Sequence, residues 1–194
     1  MKLLKYVITN DTGLAPNPFG KWCTLAVCTP NHLNAQLDIG DWILGHSIKL
    51  KGNELIYAMK INEILDFDEY YNDSRFQYKK PKLKGKWWEI SGDNIYYKDK
   101  KGKYTYKINP LHKNKFEQDV KNHIVFISNY FYYFGSNSVK SFKKEFPKLI
   151  HKTESFSYER EEEEMNIFIK WLENNFKRGR NGNNPTEPFR KSFC

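Results

Sequence analysis

The sequence predicts a single α+β domain. Short runs rich in β-branched and aromatic residues recur between Gly, Asn, Asp and Pro turn signals. One stretch near the C-terminus places Met165, Phe168, Ile169, Leu172 and Phe176 at helical spacing. With 194 residues, 39% of them hydrophobic and 16% aromatic, the chain can bury one self-sufficient core. Residues 1–178 are read as that domain and 179–194 as a turn-rich, mobile tail pinned by Phe189.

Leu3–Thr9 reads as the first strand, closed by Asn10, Asp11 and Gly13. The segment APNPFGKW then runs extended, because the residue before each proline is pushed away from helix. CTLAVC follows as a strand or buried connector, and a short helix is expected around residues 31–37. Gly40-Asp41 makes a turn into the strand DWILG. NELIYAMKINEIL is the clearest strand, with Leu55, Tyr57, Met59 and Ile61 alternating against Ile56, Ala58 and Lys60. DFDEYYNDSRF suits a helical turn or loop, and Gly85, Gly92 and Gly102 punctuate short strand-like pieces after it. Trp87-Trp88 and Tyr96-Tyr97, set in strands, would each send one ring to either face. HIVFIS is a buried strand, with the aromatic block NYFYYFG directly behind it. The final helix is expected over residues 157–178, with Ser157 as N-cap, Glu159 and Glu161 to Glu164 at its positive end, and Gly179 as its stop.

Lys and Arg total 32 against 23 Asp and Glu, a net charge of +9 that permits a polyanionic partner. Nine lysines and three acids share residues 79–103 with Trp87, Trp88, Tyr96 and Tyr97. Such mixing suits phosphate attraction joined to base stacking; it also suits a lysine-rich loop with exposed strand faces. The three cysteines Cys23, Cys28 and Cys194 fit free thiols better than a disulfide framework or a zinc site. The opening residues turn polar too soon for a signal peptide and no run is long enough to span a membrane, so a cytoplasmic location is expected.

Phosphate-loop, dinucleotide-loop, zinc-protease and nucleophile-elbow patterns are missing, which lowers an enzymatic reading without closing it. No cofactor or metal is expected. Candidate acids and bases are Asp41, His46, Asp93 and His151, each with a plainer structural use.

The blocks NPFGKWCTLAVCTP, GDWILG, LIYAMKINEIL, FQYKKP, GDNIYY and IVFISNYFYYFG, in that order, resemble the second family of nucleotide-modification-associated domains, within a PUA-like and EVE-like setting. His46, where that family has a small residue, and the lack of a glycine before His151 depart from the pattern. The resemblance implies a small twisted β-barrel flanked by helices, associated with modified nucleotides and phage defence; EVE-like relatives are regarded as readers that take a modified base into a pocket. In such a layout the stiff segment after the first strand walls the pocket. Asn17, Trp22, Thr24, Trp42, Ser47, Trp88, Asn94 and Tyr97 then become base-binding candidates, and Lys79, Lys80, Lys82, Lys84 and Lys86 phosphate-binding candidates. The rivals are an enzyme acting on a nucleobase or nucleotide, and an interaction subunit using a second face of the final helix.

Overall fold

The computed structural model describes residues 1–27, 35–113, 116–153 and 155–188. The expected helix near residue 31, Cys28, Cys194 and the Phe189 anchor fall wholly or mainly outside them.

The α+β expectation holds, but as three sheets with no closed barrel among the described residues. Strands β1 (Leu3–Ile8), β3 (Trp42–Ser47), β4 (Leu55–Lys60), β9 (Tyr130–Tyr133), β10 (Phe156–Glu159) and β11 (Gly179–Arg180) form a six-stranded sheet in the order β10-β1-β3-β4-β9-β11. It contains a parallel β1–β3 pair, with Leu3 opposite Trp42 and Ile8 opposite Ser47. A three-stranded sheet follows the order β2 (Cys23–Leu25), β8 (Ile124–Ser128), β5 (Glu63–Asp66), and a hairpin joins β6 (Tyr96–Lys98) to β7 (Tyr104–Tyr106). The helices are short, α1 (Phe67–Asn72), α2 (Trp87–Ile90), α3 (Phe116–Asp119) and α4 (Phe142–Glu145), until the 14-residue α5 (Glu162–Asn175).

The apolar run read as one long strand is divided. Residues 55–60 pair with β3 and β9, whereas residues 63–66 pair with β8. The chain bends between the sheets at Asn62, whose Oδ1 accepts the Asn129 backbone N–H (2.8 Å), so β8 and β9 bend at the same place. Strict alternation fails for the same reason: both faces of the large sheet are covered. One face packs Leu4, Tyr6, Ile43, Tyr57 and Met59 against Leu25 and Phe126 of the small sheet. The other packs Leu3, Trp42, Leu44 and Ala58 beneath Met165, Phe168 and Leu172 of α5. A third cluster, including Phe67, Tyr70, Phe76, Ile95 and Tyr96, covers the far face of the small sheet.

Two local expectations are corrected. Ser157 does not cap α5; residues 156–159 pair antiparallel with β1, so the helix starts only after them, with Glu162, Glu163 and Glu164 in its first turn. Trp87-Trp88 open a helical turn rather than a strand, closed by the Glu89 side chain accepting from the Lys86 N–H (3.0 Å). Beyond α5, Gly179–Arg180 pairs with β9, and the Thr186 N–H donates to Asp11 Oδ2 (3.1 Å).

Candidate functional site

The stiff segment after β1 builds one wall of a cleft. Asn17 and Thr24 exchange two backbone hydrogen bonds (2.8 and 3.0 Å), which closes residues 18–23 into a projecting loop. At its tip Gly20 has φ +85, and a Cβ there would lie 2.4 Å from the Tyr78 ring, so backbone conformation and space both call for glycine. Behind the loop, Lys79 is 1% exposed. Its ammonium donates to the Asn17 carbonyl (2.8 Å) and side-chain oxygen (2.9 Å), and Asn17 Nδ2 donates to the Ser91 carbonyl (2.8 Å). Burial holds the Lys79 ammonium down to about 8, although the Asp93 charge favours its proton.

Asp93 is the anionic counterpart in this buried network. Its carboxylate accepts from Thr24 Oγ1 (2.6 Å) and the Tyr70 hydroxyl (2.8 Å). Burial still pushes it above the usual carboxylate range, with Lys79, Thr24 and Tyr70 opposing. Asn94 donates to the Tyr70 and Phe76 carbonyls, while its Oδ1 is buried with no hydrogen bond among the described residues.

Outside this network lie two adjoining hollows. One, of about 220 Å³, is lined by residues that include Asn17, Tyr78, Lys79, Lys82, Glu89 and Gly92. The other, of about 420 Å³, adds Trp87, Arg180, Asn183 and Asn184; Phe19, Gly20 and Trp88 belong to both. Phe19 meets Trp87 edge to face at 5.3 Å, and Trp87 meets Trp88 at 5.5 Å and 88°. Trp88 is 40% exposed, with the Lys86 ammonium 5.0 Å from its ring centroid. Arg180 lies 5.8 Å from the Phe19 ring. The arrangement offers a flat π-surface, cations around it and amides at its edge.

Asn17, Thr24, Lys79, Asp93 and Asn94 therefore gather in one network beside Trp88, with Lys82 and Lys86 at the cleft, whereas most of the other candidates lie elsewhere. Trp22 packs edge to face on Phe76 (6.1 Å). Trp42 is buried beneath α5 against Tyr130. Tyr97 stacks on Tyr71 at 4.4 Å, and the Lys80 ammonium sits 3.5 Å from the Tyr71 centroid. Lys82 pairs with Glu89 (2.8 Å), and Lys84 and Lys86 are exposed. Asp41 accepts from the Lys2 and Asp38 backbone N–H groups at 2.7 and 3.1 Å, a turn-holding use. Ser47 Oγ bridges the Lys51 carbonyl and the Glu54 N–H. His46 accepts at Nε2 from the His151 backbone N–H (2.9 Å), so these two meet, but at a different cavity.

Sequence reasoning missed Phe19, Tyr78 and Arg180. Phe19 and Tyr78 flank residues it did single out, but Arg180 reaches the cleft only because β11 pairs with β9, for which a two-residue strand leaves no pattern.

Among the described residues no group of His, Cys, Asp and Glu is placed to hold a metal ion, and no helix is long and apolar enough to cross a membrane. A family model described as nucleotide modification associated domain 2 matches residues 1–192. No curated protein and no solved structure matches the chain.

Proposed function

The chain belongs to the nucleotide modification associated domain 2 family, and from that premise we propose that it is a binding module that stacks a modified base on Trp88. The observation that carries this reading is the exposed Trp88 ring in a cleft shared with Phe19 and edged by Lys86 and Arg180. A planar base gains from such a ring whatever its sequence context, and cations at the edge meet the phosphates. Asn183 and Asn184 supply amides for the base edge, where a modification would be read. The reader role implied by the resemblance to EVE domains points the same way. Asp93 does not line the cleft and its carboxylate is engaged by Thr24 and Tyr70, which favours binding over acid-base chemistry there.

Fluorescence titration with unmodified and base-modified DNA, single and double stranded, tests the reading. Trp88→Ala is expected to weaken binding roughly 5- to 150-fold, the range of one base-stacking contact. Unchanged affinity in a folded Trp88→Ala protein would remove the stacking surface, and equal affinity for all bases would remove the reader role. Turnover of a nucleotide substrate that Asp93→Asn abolishes would favour the enzyme reading instead.

A further inference from the structure

A cavity of about 580 Å³ opens where β1 and β3 end, between residues 48–53 and residues 143–153, and it shares no lining residue with the Trp88 cleft. Val7, Ile48, Pro147 and Ile150 give it an apolar wall. Lys49, Lys143 and Lys152 stand at its exposed rim; none of them is in an ion pair with a described residue, and none of the described lining residues is acidic.

Two further features mark it as a built site. Asn53 is 6% exposed and lines the cavity, yet its side-chain amide makes no hydrogen bond with any described residue. The amide is open to the cavity rather than sealed in the core, so a polar group bound there would pair it. The opposite wall is held in place from behind. His46 is fully buried, with Nδ1 2.8 Å from the Ser47 carbonyl, so that nitrogen carries the proton and Nε2 accepts the His151 backbone N–H. The His151 ring is fixed in turn by Ser157 at Nδ1 (2.9 Å) and Thr153 at Nε2 (2.8 Å). A wall positioned before binding loses little on binding.

We propose that this cavity binds a small phosphomonoester whose organic body is about the size of a nucleoside. Three ammonium groups around one mouth, with no acidic partner among the described residues, suit a dianion better than a neutral ligand. The volume lies within the range of small-molecule pockets and far exceeds what inorganic phosphate would fill. The phosphate sits among Lys49, Lys143 and Lys152, the body lies on Ile48 and Ile150, and the Asn53 amide meets its polar edge.

Calorimetric titration of the full chain with thymidine monophosphate, thymidine and inorganic phosphate tests this site independently of the cleft. The monophosphate is expected to bind at least about 10-fold more tightly than either fragment. Lys143→Gln with Lys152→Gln, both at exposed positions, should weaken it by a similar factor. Asn53→Gly, which keeps the positive φ available to residue 53, should weaken it too, while Trp88→Ala should leave it unchanged. Undetectable binding of the monophosphate, equal binding of thymidine or phosphate, insensitivity to the lysine pair, or loss on Trp88→Ala would each overturn the proposal.

Discussion

At the scale of single residues, the buried Lys79 is the most consequential feature, and it makes stability depend on pH. An unfolded lysine titrates near 10.4, whereas burial lowers Lys79 to about 8 in the native protein. Between those values the unfolded chain holds a proton that the native one has released, so this group's contribution to stability rises with pH across the window. Cys23 acts with the opposite sign. Burial pushes its thiol up to about 12, while the unfolded thiol ionises from about 8.5, so its contribution falls as pH rises. Lys79→Gln keeps a donor for Asn17 and removes only the first effect. Urea midpoints measured between about pH 8 and pH 10 are therefore expected to rise for the wild type relative to Lys79→Gln. Parallel pH profiles would mean that native Lys79 keeps its proton throughout. Sequence reasoning placed Lys79 among the phosphate-binding lysines, because a lysine in a basic run shows nothing of its burial; the two Asn17 acceptors come from a segment 62 residues away.

At the scale of elements, legibility followed the number of faces an element buries. The strands around residues 3–8, 55–60 and 124–128 were plain from their apolar content, but the register of Trp42 and Ser47 was not. In a sheet covered on both faces every position of β3 is buried, so the alternation that separates a pocket-facing ring from a core ring vanishes. Trp42 went to the core under α5 and Trp88 to the cleft. The helix period was legible because α5 buries one stripe, Met165, Phe168 and Leu172; its start was not, since a strand pairing with β1 took Ser157 first. Phe168 is the centre of that stripe, 0% exposed and in ring contact with Phe142, Phe146 and Trp171. Phe168→Ala is expected to cost about 3–5 kcal/mol, read as a lower denaturant midpoint with the slope retained. Ile167 lies on the outer side of the same helix at 52% exposure, and Ile167→Ala should change stability by less than about 0.5 kcal/mol. A larger loss there would mean that the outer face is covered, as an interaction-subunit role requires.

At the scale of the whole molecule, the net charge of +9 overstates the cations available to a nucleic acid at the cleft. Of the five lysines at residues 79–86, Lys79 is turned inward to Asn17, Lys80 lies over Tyr71 and Lys82 is paired with Glu89. Lys84 and Lys86 stay exposed, and Arg180 joins them from β11, the edge strand of the large sheet. Three cations acting on a single strand give a slope of log K against log salt of about −2, since each phosphate neutralised contributes roughly 0.7. Five would give about −3.5. Affinities of a single-stranded oligonucleotide measured over a tenfold salt range separate the two values, and a shallower slope in Arg180→Gln would place that residue at a phosphate. A slope near −3.5 or steeper would bring in the lysines of the β6–β7 hairpin, Lys98, Lys100, Lys101 and Lys103. The bound strand would then run from the Trp88 cleft towards the stacked Tyr71 and Tyr97 rings, whose face already carries Lys80 and Lys107.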